Sequence, residues 1–195
     1  MTLSGMVPSL TRANAGRAGL IDIPARYHDV SDGEGGFSAP TATLLTVNTL
    51  YACPFRCDAP RGYNQALINV TTGAVATSLG RISILSQGTD GLPDSLIADS
   101  GTFLVDAIAE AGAAFSIPTV QGAWVWLCFQ SNGAPTVFKY NTNNNNSALG
   151  YVTASSILRH YGVFVARAFG PIAASLTGTG WTYDTAPLAV RLRAI

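Results

Sequence analysis

From about residue 46 the chain repeats one pattern. Short runs rich in Val, Ile, Leu, Phe, Tyr and Trp alternate with clusters of Gly, Pro, Asn, Asp and Ser. The runs are Leu50 to Phe55, Gln65 to Thr71, Gly80 to Leu85, Ser95 to Ala98, Thr102 to Val105, Ala113 to Ile117, Ala123 to Gln130, Thr136 to Tyr140, Val163 to Ala168 and Leu188 to Ala194. Apolar runs of strand length separated by turn residues at about 8 to 12 residue spacing predict an all-β sandwich or barrel. Alternation is clear in Ala66-Leu67-Ile68-Asn69-Val70-Thr71 and in Ala189-Val190-Arg191-Leu192-Arg193-Ala194, whose arginines would share one face. The run Ala123 to Phe129 is apolar on both faces and reads as a central strand.

The turns between runs have a mechanism. Thr89-Asp90-Gly91-Leu92-Pro93-Asp94 supplies a glycine for positive φ, a proline that cannot donate to a ladder, and two aspartates that bond their own backbone at such positions. Gly133-Ala134-Pro135 is similar, and Asn141 to Asn146 reads as a solvent loop. Leu104 to Ala114 and Ser155 to Tyr161 carry some helical propensity, but Gly101 and Gly112 bracket the first and strands flank it. Residues 1–45 hold polar and Gly-rich pieces with no sustained period, and so read as an extended arm before a sandwich at 46–195.

Composition narrows the class. The chain has 195 residues, only 11% of them charged, with 11 basic against 11 acidic side chains, where soluble domains average about 25% charged. Zero net charge removes the long-range field that attracts nucleic acid or anionic lipid, and it favours self-association. No nucleic acid partner and no membrane insertion are therefore expected. The uncharged stretch from Ala111 to Phe138 is broken by Pro118, Gln121, Gln130 and Pro135, so it reads as strands and turns.

The inventory for catalysis is thin. His28 and His160 are isolated, and no nucleophile elbow, zinc-binding helix or phosphate-binding loop occurs. The chain is not expected to be an enzyme, nor to carry a metal or cofactor. Cys53 and Cys57 are four apart, too far for a disulfide in an extended strand unless Pro54 opens a turn, and Cys128 falls in an apolar run. Asp90, Asp94 and Asp99 are the one group of carboxylates that a sugar-cleaving site could draw on; the turn reading competes with it for the first two. Trp124 and Trp126 share a strand face, as core or as a platform for sugar rings. Trp181, Tyr183 and Asp184 lie in a Gly/Thr-rich loop, where aromatic faces and hydrogen-bonding groups suit glycan or protein contact.

Several pieces, in order, carry a resemblance. Leu50-Tyr51-Ala52-Cys53-Pro54-Phe55 is followed by Ile82-Ser83-Ile84-Leu85, by Asp90-Gly91-Leu92-Pro93-Asp94-Ser95-Leu96-Ile97-Ala98-Asp99-Ser100-Gly101, and by Gly122-Ala123-Trp124-Val125-Trp126-Leu127. Gly133-Ala134-Pro135-Thr136-Val137, Phe169-Gly170-Pro171 and Pro187 to Arg193 complete the series. Over residues 48–195 the chain resembles the jelly-roll virion proteins of tailed bacteriophages, the tail-fibre, baseplate and head-fibre class. That resemblance implies an antiparallel jelly-roll β-sandwich, a homotrimer, and a place on the virion. It transfers no catalytic motif. The chain lacks a coiled-coil or β-helical shaft, so a short appendage on tail, baseplate or capsid fits its length.

The expected arrangement has the arm docking on other virion proteins through Ile21, Ile23 and Tyr27. The loops around Thr89 to Asp94, Asn141 to Ser147 and Gly178 to Asp184 face a host surface, with Asn143, Asn144, Asn145, Trp181, Tyr183 and Asp184 touching a receptor or glycan. Two alternatives stand beside it: a carbohydrate-binding or depolymerising module that uses Asp90, Asp94 or Asp99, and a capsid decoration or connector with no receptor contact.

Overall fold

The computed structural model describes residues 27–29, 38–56, 62–118, 124–141, 162–176, 178–184, 186 and 188–194. Its elements are β1 (Tyr27–Asp29), β2 (Ser38–Leu44), β3 (Thr49–Arg56), β4 (Gly62–Thr72), β5 (Leu79–Gln87), β6 (Pro93–Leu104), β7 (Ala109–Pro118), β8 (Trp124–Ser131), β9 (Thr136–Asn141), β10 (Gly162–Ala166), β11 (Thr182–Asp184) and β12 (Val190–Ala194). All pairings are antiparallel. One sheet runs β11-β10-β3-β8-β5-β6. In the other, β4 is the hub: β7 pairs along one edge, while β12 and then β9 share the opposite edge and carry β1 and β2. The fold is an antiparallel β-sandwich. Successive strands cross between the sheets at most turns, so its pairing is mainly non-local.

The periodicity accounts for these strands. In β12, Val190 and Leu192 are fully buried while Arg191 and Arg193 stay half-exposed on the other face. Between the sheets lie Tyr51, Cys53, Phe55, Ile68, Val70, Ile82, Ile84, Leu127, Phe129, Val137 and Leu192. Removing such side chains from water, at about 25 cal/mol per Å², is the main favourable term holding the two sheets together. The two runs expected at Ser95 to Ala98 and Thr102 to Val105 form one strand, β6. Gly101 takes φ 68°, and Ser100 and Gly101 together oppose Ile82, so a bulge keeps the strand continuous where a break was expected. The helix weighed at Leu104 to Ala114 is instead the end of β6, a turn and the start of β7. Gly112 pairs with Leu67 of β4, so close that a Cβ there would stand 2.1 Å from the Ala66 carbonyl oxygen. The second helix candidate, Ser155 to Tyr161, lies outside the described residues.

Residues 27–29 and 38–44, placed in the arm by sequence, are strands of the β4 sheet. β2 escaped detection because an edge strand has little to bury: Ser38-Ala39-Pro40-Thr41-Ala42-Thr43-Leu44 carries one large apolar side chain, and its Pro40 is tolerated where only β9 pairs. Leu45, at the expected boundary, is 3% exposed and belongs to the core.

A second apolar cluster covers the outer face of the β3 sheet. After β10, residues 167–176 cross that face as a strap, and residues 178–181 lead back to β11. Its Ile172 and Leu176 pack on Leu50, Ala52, Leu85, Trp126, Cys128 and Val163. Arg167 holds the strap's start, donating to the carbonyl of Pro171 at 2.8 Å and to Gln130 Oε1, while Gln130 Nε2 donates to the Gly170 carbonyl. At the far side the strap pairs with the edge of β6: Leu96 N–H donates to the Ala174 carbonyl and Leu176 N–H to the Asp94 carbonyl. Trp126 is thus core of the strap layer, with Val125 and Leu127 turned into the sandwich.

Candidate functional site

The strands give the sandwich two ends. At the upper end β5 turns into β6 through Gly88 to Leu92; at the lower end β6 turns into β7 through Val105 to Ile108. The strap's return brings Gly178 to Trp181 against the upper turn. Between them lies a cleft with about 120 Å³ of water-sized space. Gly88, Thr89, Asp90, Pro93 and Asp94 form one wall. Leu176, Gly178, Thr179 and Trp181 form the other. At roughly 10 to 15 Å³ per water position the space holds on the order of ten heavy atoms, the size of one sugar residue.

Each wall is rigid for a local reason. Gly91 takes φ 84°, Asp90 Oδ1 accepts the Leu92 N–H at 3.0 Å, and the Gly88 N–H donates to the Leu92 carbonyl at 2.8 Å. Asp90 therefore has the turn role its spacing predicts. Asp94 is tied to the strap: its Oδ1 accepts from Ser175 Oγ and its Oδ2 from Ser95 Oγ, both at 3.0 Å. Opposite, Gly178 takes φ 77°, the Thr179 N–H donates to the Leu176 carbonyl, and Trp181 packs its ring partly on the strap cluster. The cleft thus offers an aromatic face, a threonine on each side and an exposed carboxylate.

The other predicted residues are placed differently. Tyr183 is 43% exposed on β11, near the cleft's rim in sequence. Asp184, expected at a receptor contact, is held in an ion pair. Its Oδ2 pairs with Lys139 Nζ at 2.5 Å and its Oδ1 accepts the Ala186 N–H. Lys139 is the only lysine of the chain; it is 8% exposed and lies 4.7 Å above the Tyr51 ring. Asp99 is likewise a structural residue, paired with Arg81 and accepting from Ser83 Oγ and the Gly101 N–H. It sits five residues beyond Asp94 on β6, about 16 Å along a strand, and takes no part in the cleft. Asn143, Asn144, Asn145, Ile21 and Ile23 lie outside the described residues, as do Cys57 and the Asn141 to Ser147 loop beyond Asn141. Tyr27 is in β1, paired with Arg193.

Cys53 and Cys128 are buried free thiols on opposite faces of the β3 sheet. Cys53 accepts the Leu188 N–H at 2.9 Å. Burial, and then the Asp184 carboxylate, push its pKa from 9.0 to about 12. Burial also raises Cys128 well above 9.0. Neither is a nucleophile at neutral pH.

Compared with protein-family models and with curated proteins, the chain matches none.

Two features of the upper end went unseen in the sequence. The part played by Leu176 and Thr179 depends on the strap's path, which no local pattern encodes. The Lys139 and Asp184 pair had a partial signal, since Lys139 is two residues from Val137 in a strand and so shares its inward face.

Proposed function

We propose that this chain is a short appendage of a bacteriophage virion, a tail-fibre, baseplate or head-fibre component, and that its upper cleft takes one sugar residue of a host-surface glycan. The observation that carries the recognition role is the meeting of Thr89 to Asp94 with Gly178 to Trp181, the first part of the Gly178 to Asp184 loop, two of the three loops whose sequences suit recognition. Their chemistry is that of sugar contact. An indole accepts the apolar face of a pyranose, while Thr89, Thr179 and the Asp90 carboxylate reach hydroxyls. The virion setting is supported by the ordered motifs between Leu50 and Arg193 and by a surface with few charges.

Binding is favoured over cleavage. A glycosidase uses two opposed carboxyls across the bond it breaks. Here Asp94 is occupied by two serines and Asp99 by Arg81.

The test is retention of the protein on a panel of bacterial surface polysaccharides. Trp181→Ala is expected to weaken retention at least tenfold and Asp90→Ala severalfold, with the sandwich still folded. Equal retention of parent and both variants, or no retention of the parent by any polysaccharide, sinks the glycan reading. Particles lacking the protein should adsorb poorly to the host; normal adsorption would leave a connector role instead.

A further inference from the structure

The upper cleft has a charge as well as a shape. Its two walls come from segments nearly devoid of charged side chains: residues 82–98 contain only Asp90 and Asp94, and residues 168–183 contain none. Both carboxylates stand on one wall, across from Leu176, Gly178, Thr179 and Trp181. Among the described residues no basic side chain lines the recess.

The described cations are committed elsewhere. Arg81 pairs with Asp99, Lys139 with Asp184 and Arg191 with Glu110. Arg167 donates to Gln130 and to the Pro171 carbonyl at the strap's start, and Arg193 lies on β12 in the other sheet. Of the two cleft carboxylates, Asp94 is built into the strap's anchorage through Ser95 and Ser175. Asp90 is the exposed one, and its Oδ1 accepts a neutral donor, the Leu92 N–H. Exposed aspartates are ionised at neutral pH. The recess therefore sets an anion opposite an indole.

We infer, on the footing of the sugar-binding reading above, that the cleft selects its sugar by charge: residues with a free amino group rank above neutral ones, and residues with a carboxylate, such as uronic and sialic acids, are refused. The recess and the Trp181 ring make the site, and Asp90 sets its sign. With about 120 Å³ of space, one sugar residue fills the recess, so a charge on that residue comes close to Asp90. A second carboxylate there is repelled, whereas an ammonium gains a charge-assisted hydrogen bond where a hydroxyl makes a weaker one. Because the net charge of the chain is zero, the protein as a whole neither draws in nor repels an acidic glycan, and the local carboxylate decides.

Retention of the full chain on a panel of bacterial surface polysaccharides tests this, each acidic polysaccharide also after its carboxylates are reduced to primary alcohols and each amino-bearing one also after N-acetylation. Carboxyl reduction should raise retention of the parent at least tenfold, and N-acetylation should lower it severalfold. Salt at about 1 M, where the screening length falls to about 3 Å, should shrink both differences. Asp90→Asn should shrink them too, holding acidic polysaccharides better than the parent does and amino-bearing ones less well. Asparagine keeps an Oδ1 for the Leu92 N–H, and shifts of opposite sign cannot come from a damaged fold. The parent's response to reduction and acetylation needs no variant. Equal retention before and after carboxyl reduction, or preferences that Asp90→Asn leaves intact, overturn the charge selection while sugar binding stands. A parent retained by no polysaccharide in either form overturns both.

Discussion

The two ends of this sandwich are made of the same parts, short turns between antiparallel strands, yet they differ in depth and in chemistry. At the upper end the strap leans against the β5 to β6 turn and leaves a cleft whose walls carry Trp181, two threonines and Asp90. At the lower end the strap only begins, where the Arg167 N–H donates to the Asn48 carbonyl and the Phe169 N–H to Asn48 Oδ1, and the turns pack closely on one another. Turn sequences alone do not separate these cases, since Gly and small polar residues dominate both. What decides is how a second segment meets the turn: where Gly178 to Trp181 lean on the β5 to β6 turn, side chains converge on a recess.

The largest expected effect tests whether the upper end's buried ion pair is framework. Asp184→Ala leaves Lys139 charged and unpaired at about a tenth exposure, so urea unfolding should show a loss of about 3 to 5 kcal/mol. Replacing both residues, Lys139→Met with Asp184→Leu, should restore most of it. A stable Asp184→Ala protein that merely binds polysaccharide less well would return Asp184 to the recognition surface.

Next comes alkaline stability. In the unfolded chain the Cys53 thiol ionises near 9, whereas in the fold it holds its proton to about 12. The unfolded state then binds fewer protons, so the stabilisation is full below pH 9 and is lost progressively as pH rises towards 12. Cys53→Ala should flatten that part of the pH profile relative to the parent. In a Cys57→Ser background, thiol reagents at pH 7 should label neither remaining cysteine until the protein unfolds.

Smaller effects separate the ends more finely. Arg167→Ala frees the strap's start and should cost about 1 to 3 kcal/mol, while loosening the cleft wall at its far end. Ile108→Asp should alter stability by no more than about 0.5 kcal/mol in thermal melting, because its side chain is exposed. Arg191→Ala breaks a surface pair with Glu110 at neither end and should cost at most about 1 kcal/mol by thermal melting. A larger loss would show the flank of β12 contributing more than either turn face.

Much of the fold was legible because strand burial has a short period. The runs at Gln65 to Thr71, Ala123 to Gln130 and Leu188 to Ala194 announce β4, β8 and β12 with errors of a few residues at the ends. β2 was missed for the converse reason, since an edge strand that buries little carries little pattern. In the site, Asp90 and Gly91 could be read as a turn because the bonds they make are local. Asp184 could not, since its partner Lys139 lies 45 residues away. Trp126 looked like sandwich core and is core, but of the layer beneath the strap.

By itself the sequence determined the class of element: alternating apolar residues can bury one face only as strands, and Gly, Pro and Asp at set spacings can only turn the chain between them. It also determined that the surface would be short of charge. The tertiary structure alone decided which turns meet. The strap's route, which starts beside Asn48 at one end and closes on the β5 to β6 turn at the other, makes the cleft, because it is held by contacts between residues far apart in sequence that no local pattern records.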